Sequence, residues 1–262
     1  MDLQSLLQPV IHAVRRAGEA VMRVYAADFA VRGKADASPV TDADDAAEAL
    51  IVPALQALAP QVPVVAEEAL AAGRCPAVGD RFWLVDPLDG TREFVQRNGE
   101  FTVNVALVQQ GVPVLGVVLA PVQARLFAGV QGRGAFVEQV GLRKPIRCRA
   151  APEGGLTVVA SRSHGDAHML SAFLQGMKVA RVLPVGSSLK LCLLAEGEAD
   201  LYPRLGPTME WDIAAGHAVL LAAGGGVVDL AGRPLGYGKP GFRHPHFVAF
   251  GATPWAPRAE LP

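Results

Sequence analysis

Hydrophobic positions follow a helical period at the start of the chain and a strand period through its middle. Leu3, Leu6, Leu7, Val10, Ile11, Val14, Val21 and Val24 recur at helical spacing, which predicts an amphipathic helix to about Tyr25. A second helix starts at Thr41 and carries Ala46, Ala49, Leu50 and Leu55, with a kink expected at Pro53. Short apolar runs at 62–66 and 82–85 read as buried strands. Runs at 102–108, 114–119, 125–130 and 135–138 are joined by short turns around Gly111, Pro121 and Gly132-Arg133-Gly134, which predicts an antiparallel meander. Residues 141–155, rich in Gly, Pro and Arg, read as a crossover. Beyond it strands (156–160, 178–182, 200–202) alternate with helices (167–174, 187–195, 212–223), and 247–251 closes the sheet. The class is therefore α/β, with an α+β N-terminal half at 1–145 and an α/β C-terminal half at 146–262. Gly224-Gly225-Gly226 lacks the Lys-Ser/Thr of a phosphate loop and reads as a helix stop.

The chain has 262 residues, 51% of them hydrophobic, enough for a large core in one or two packed domains. Net charge is −1 without a long run of one sign, so the clustered basic face that grips nucleic acid is missing. Cys75, Cys148 and Cys192 form no C-x-x-C pair. So sparse and odd a set predicts small core thiols in a reducing, cytoplasmic setting. No secretion signal is visible, and no run approaches the ~18 apolar residues of a membrane helix.

Asp86-Pro87-Leu88-Asp89-Gly90-Thr91 adds chemistry to this outline. Two carboxylates close an apolar run, and Gly90-Thr91 can open a helix. Carboxylates bind hard cations such as magnesium, and a helix start binds an anion, most naturally a phosphate. Residues 86–90 alone read equally well as an ordinary turn. Two further acid clusters stand at element ends: Glu67-Glu68 after 62–66, and Asp212 in the first turn of an alanine-rich segment. Solvation, or N-capping and the helix dipole, explains each alone. Together they form the inventory of a two-metal site for phosphoryl chemistry.

In order and spacing, Val40-Thr41-Asp42-Ala43-Asp44, Glu67-Glu68, Asp86-Pro87-Leu88-Asp89-Gly90-Thr91 and Trp211-Asp212-Ile213-Ala214-Ala215-Gly216 resemble the motifs of the inositol-monophosphatase-like superfamily. These are magnesium-dependent, often lithium-sensitive phosphatases. The likeness runs from about residue 38 to 226. Within it, residues 92–104, Ser161-Arg162-Ser163-His164, Gly186-Ser187-Ser188-Leu189-Lys190 and residues 201–208 resemble the bacterial 3′(2′),5′-bisphosphate nucleotidases. Those enzymes remove the 3′-phosphate of adenosine 3′,5′-bisphosphate. Ala66 stands where Ser or Gly is expected, and Ile213 where Thr or His is commoner. The resemblance implies a layered α-β-α-β-α sandwich with the site between its halves.

It also implies roles. Two or three magnesium ions are expected. Asp86 bridges two of them, Glu67 joins it at the first with the carbonyl of Leu88, and Asp89 and Asp212 hold the second. Thr91 and Asp44 are candidates to orient the attacking water and take its proton, work that Glu67 can share. Thr41-x-x-Asp44 also has the form of a capping box, a compatible role, and Thr91 can equally serve as the first residue of a short helix. The reacting phosphate is expected at Gly90 and Thr91, with Asp212 beside it. His164, Ser187, Ser188, Lys190 and Arg204 are implied as substrate contacts, the last two suiting a second, unreacting phosphate. His244 and His246, flanking Pro245, read as surface loop. The partner is a small nucleotide bisphosphate. The expected location is the cytoplasm, or the periphery of the inner membrane. Rival readings are an inositol or sugar phosphate phosphatase and a non-catalytic nucleotide-binding regulator.

Overall fold

The computed structural model describes residues 2–33, 39–163 and 166–257. α1 (Leu3–Ala26) buries the stripe at Leu6, Leu7, Val10, Ile11, Val14 and Val21, and the Asp2 carboxylate caps it by accepting from the Gln4 N–H. β1 (Val31–Gly33) and β2 (Pro39–Thr41) pair antiparallel; at three residues each they are too short to carry a readable pattern. α2 (Asp42–Leu58) starts on Thr41 with the expected capping box. It runs on through Pro53 rather than ending there.

The first sheet follows. β3 (Val64–Ala66) leads into the short α3 (Glu67–Ala71), and β4 (Arg81–Asp89) into α4 (Thr91–Val95). β5 (Thr102–Gln109), β6 (Val112–Ala120), β7 (Arg125–Val130), β8 (Gly134–Gln139) and β9 (Leu142–Ile146) form the meander. The seven strands lie in sequence order, with β3 and β4 parallel and the others antiparallel. β9 occupies the first part of what reads as a crossover. It is an edge strand with four exposed residues out of five and a proline, so it carries no apolar signal.

The second sheet comprises β10 (Leu156–Ser161), β11 (Val179–Val185), β12 (Leu201–Arg204), β13 (Gly226–Asp229) and β14 (Phe247–Phe250), in the order β11-β10-β12-β14-β13. β10 is parallel to β11 and β12, while β14 is antiparallel to β12 and β13. Three helices interleave: α5 (Ala167–Leu174), α6 (Leu189–Ala195) and α7 (Glu210–Ala222).

The expected α-β-α-β-α layering is present. α1 and α2 cover one face of the first sheet, and α7 packs on β5, β6 and β7 from the other. α6 lies against α7 and touches β10 and β12, while Phe173 of α5 packs with Val158, Leu201 and Val248 on the outer face of the second sheet. β5 explains why its sequence reads as one apolar run. Val103, Val105 and Leu107 face the α1–α2 core, and Ala106 and Val108 face the α6–α7 core. On β4 the same alternation sends Trp83 and Val85 one way and Phe82 and Leu84 the other, which puts Asp86 on the α7 side.

Two glycines let α7 approach the first sheet. A Cβ on Gly116 would lie 2.2 Å from the Ala215 carbonyl oxygen, and one on Gly129 2.7 Å from Val219 Cα. Gly116→Ala is therefore expected to push α7 outward and to lower stability by about 1–3 kcal/mol, the range for overpacking. Thermal denaturation checks this, and an unchanged midpoint would show that α7 does not need the close approach.

Candidate active site

β4 ends in an irregularity that builds the site. Its register with β5 shifts between Asp86 and Asp89, around Pro87. The chain then turns through Gly90, at φ +91°, where a side chain would meet the Glu100 carbonyl and the Glu93 carboxylate at 3.2 and 3.3 Å. α4 starts at once with Thr91. Asp86 is 1% exposed, and its Oδ1 accepts from the Leu88 N–H. The Thr91 hydroxyl lies 3.2 Å from the Leu88 carbonyl and 3.5 Å from Asp44 Oδ1. It has one proton for two acceptors. Asp44 Oδ2 takes the Thr41 N–H and hydroxyl, both at 2.8 Å. Asp44 thus fills the capping role and also turns its other oxygen toward Thr91.

Glu67 and Glu68 open α3, whose N-cap Ala66 has no side-chain acceptor. Glu48 of α2 supplies one from a distance, accepting from the Glu68 N–H at 2.9 Å. Burial, ahead of the nearby Glu68 charge, raises the Glu48 pKa above its usual range. Glu48 escapes a motif search because it is embedded in α2; the only signal is that it lies one turn beyond Asp44 on the same buried helix face.

The other half of the site comes from α6, α7 and their leading loops. Asp89 Oδ2 accepts from the Ser188 N–H at 2.6 Å and more weakly from Asn104 and Thr102. The Ser188 hydroxyl donates to the Asp212 carbonyl at 2.7 Å and accepts from Asn104 Nδ2 at 2.9 Å. Asp212 Oδ2 closes the N-terminus of α7, taking the Thr208 hydroxyl and the Met209 N–H. Lys190 is buried, and its ammonium donates to the carbonyls of Val185 and Ser187. Arg204 Nη2 donates to the Pro207 carbonyl, while its buried Nε has no partner.

All this converges on one cleft of about 340 Å³. Glu67, Asp86, Leu88, Asp89, Gly90, Thr91 and Asp212 line it, together with Ser187, Ser188, Lys190 and Arg204. Arg92, Tyr202, Trp211 and Arg243 line it as well; the first three lie within the stretches that carry the resemblance, whereas Arg243 lies in none. His164 lies outside the described residues. His244 is not surface loop: it is 4% exposed against Tyr237 and Phe247, and burial holds it neutral, with a pKa pushed down to about 2. Of the two rings against it, Tyr237 also packs on His217 of α7, and Phe247 belongs to β14.

The donor set fits hard cations. Five carboxylate residues, Glu67, Asp86, Asp89, Glu93 and Asp212, line one cleft with the backbone of Leu88, all oxygen donors. Among the described residues no three acidic, histidine or cysteine side chains converge on a single point. Asp86, Asp89 and Asp212 each turn one oxygen into hydrogen bonds with neighbouring chain. Asp212 nevertheless stands close enough to disturb Asp89. Burial first, and then the Asp212 charge, push the Asp89 pKa from 3.8 up to about 6, against the opposing pull of Lys190 and Ser188. Lys190 is drawn down to about 8, by burial and then Arg204, with Asp89 opposing.

The raised acid has a consequence for stability. Its ionised form is penalised in the fold, so metal-free protein should lose stability as pH rises from about 4 through about 6. Asp89→Asn should remove that loss. With chelator present its melting point should exceed that of the parent above pH 6, by an effect on the order of 1–3 kcal/mol, and the gap should close below pH 4. Melting curves from pH 4 to 8 test this, and parallel curves would contradict it.

The model of the inositol monophosphatase family matches residues 2–251. A 3′(2′),5′-bisphosphate nucleotidase CysQ from Escherichia coli (strain K12) is 49% identical over 246 residues, spanning 91% of this chain and 98% of that protein. The crystal structure of CysQ from Bacteroides thetaiotaomicron, described as a bacterial member of the inositol monophosphatase family, superimposes with a TM-score of 0.80 at 39% identity, covering 96% of this chain and 99% of that one. An inositol monophosphatase from Anabaena (Nostoc) sp. PCC 7120 follows at a TM-score of 0.77 and 26% identity, covering 96% and 93%. Fold, ordered acid motifs and family match agree over nearly the whole chain, which belongs to the inositol monophosphatase family.

Proposed function

We propose that the protein is a magnesium-dependent phosphatase that removes the 3′-phosphate of adenosine 3′,5′-bisphosphate, leaving AMP and phosphate. One observation carries the reading: a single cleft holds an oxygen-donor set at one end and two buried cationic side chains, Lys190 and Arg204, beside it. A monophosphate has no second anion for that pair. The 49% identical relative that bears the nucleotidase name supports the same substrate.

The family is generally magnesium-dependent. Glu67, Asp86, Asp89, Asp212 and the Leu88 carbonyl would hold two or three ions, which when bound supply positive charge that makes water more acidic and offsets the charge of phosphate. The chain's own groups do the rest. Thr91 Oγ1 accepts a proton from water and passes its own to the Asp44 carboxylate; Glu67 stands at the same cleft to share the work. Gly90 and Thr91 receive the reacting phosphate beside Asp212. Ser187, Ser188, Lys190 and Arg204, with His164, meet the rest of the substrate. Ser188 does so mainly by holding Asp89 and Asp212 in place. No helix among the described residues is long and apolar enough to cross a membrane. The three free cysteines suit a reducing cytoplasm.

Phosphate release with magnesium, measured across adenosine 3′,5′-bisphosphate, inositol 1-phosphate and a sugar bisphosphate, tests the substrate. The nucleotide should be preferred at least tenfold in kcat/KM, about 1.4 kcal/mol. Preference for inositol 1-phosphate would favour the rival phosphatase, and nucleotide binding without turnover would favour the regulator. Thr91→Ala should lower kcat by roughly 10²–10⁴ with a much smaller change in KM. Unaltered turnover would leave Thr91 as the first residue of α4 and nothing more.

A further inference from the structure

We propose that Arg243 is a specificity-determining residue whose guanidinium holds the uncleaved phosphate of a bisphosphate substrate. This rests on the bisphosphate reading above and deepens it. The two buried cations of the cleft are partly committed. Lys190 donates to two backbone carbonyls and Arg204 to one. A phosphate takes several donors at once, most firmly from a guanidinium fork. Arg243 also lines the cleft. Its side chain is exposed, and among the described residues it forms no ion pair and no side-chain hydrogen bond.

The backbone directs it to the same corner as Arg204. Arg204 lies at the end of β12 and bonds the Pro207 carbonyl. The next two residues of that turn hold the segment that carries Arg243: the His244 N–H donates to the Thr208 carbonyl at 3.0 Å, and Met209 pairs with Arg243 in an antiparallel bridge. The two arginines therefore lie on either side of one turn, and both line the cleft. Arg92, the other exposed arginine of the cleft, follows Thr91 directly and belongs to the reacting end.

The segment is anchored, so Arg243 is presented rather than drifting. Glu210, fully buried at the start of α7, accepts from the N–H groups of Gly238 and Lys239 and pairs with the Lys239 ammonium at 2.6 Å. Phe242, 5% exposed, packs between Phe82 and Trp211, with both ring centroids 6.3 Å away. A cation on a fixed backbone loses less freedom when it binds.

The test compares the parent enzyme with Arg243→Ala and Arg243→Lys on adenosine 3′,5′-bisphosphate and adenosine 3′-monophosphate, with melting points to verify folding. Arg243→Ala should raise KM for the bisphosphate roughly 10- to 100-fold, the scale of a charge-assisted hydrogen bond. kcat should change far less, and the preference for the bisphosphate should shrink by the same factor. Arg243→Lys should restore part of it, since an ammonium keeps the charge and loses the fork. If the parent enzyme prefers the bisphosphate and Arg243→Ala keeps that preference, or loses equally on both substrates, Arg243 does not read the second phosphate. A parent enzyme without any such preference would instead overturn the bisphosphate reading itself.

Discussion

Ser188 joins the two halves of the cleft. Its N–H reaches Asp89 at the end of the first sheet's second strand, and its hydroxyl reaches the backbone of Asp212 at the head of α7. Asn104 of β5 ties the same hydroxyl back to the first sheet. Two acids from distant parts of the chain are thus held near each other in a partly buried setting, where like charges repel and the Asp89 pKa rises. That arrangement opposes folding unless a cation or a proton intervenes. A protein that maintains it has strained its ground state in favour of a ligand.

The layers serve this juxtaposition. α7 is buried nearly all round, between the first sheet and α6, and it comes close enough only because β6 and β7 present glycines beneath it. Its head is held by Asp212 itself, through Thr208 and Met209, and by Glu210 through the segment that carries Lys239. Asp212 therefore closes a helix and lines the cleft at once. Asp44 closes the head of α2 and turns its other oxygen toward Thr91, and Glu67 stands at the head of α3. Helix starts, where N–H groups need acceptors and the dipole favours negative charge, are where this fold stores its carboxylates.

Much of the outline was legible in the sequence because it follows simple periods. The stripe of α1, the meander, and the alternation after residue 156 each bury one or both faces regularly. The acid motifs were legible because three clusters fell at element ends in a recognisable order. What escaped has physical reasons. β9 is an exposed edge, and β1, β2 and β13 are too short for a period. Glu48 and Asn104 act by holding other residues, and they sit inside elements where burial is visible only in three dimensions. His244 looked exposed beside Pro245, yet Tyr237 and Phe247 enclose it. Arg243 reaches the cleft only through a bridge to Met209, 34 residues earlier in the chain, which no local pattern announces.

The central claim is that carboxylates from both halves share one set of divalent cations. Anomalous diffraction from crystals grown with manganese in place of magnesium tests it most directly. The account predicts manganese peaks inside the cleft, with Asp86 and Asp212 both among the ligands. Peaks confined to other parts of the surface, or a cleft occupied by manganese without Asp212 as a ligand, would contradict it.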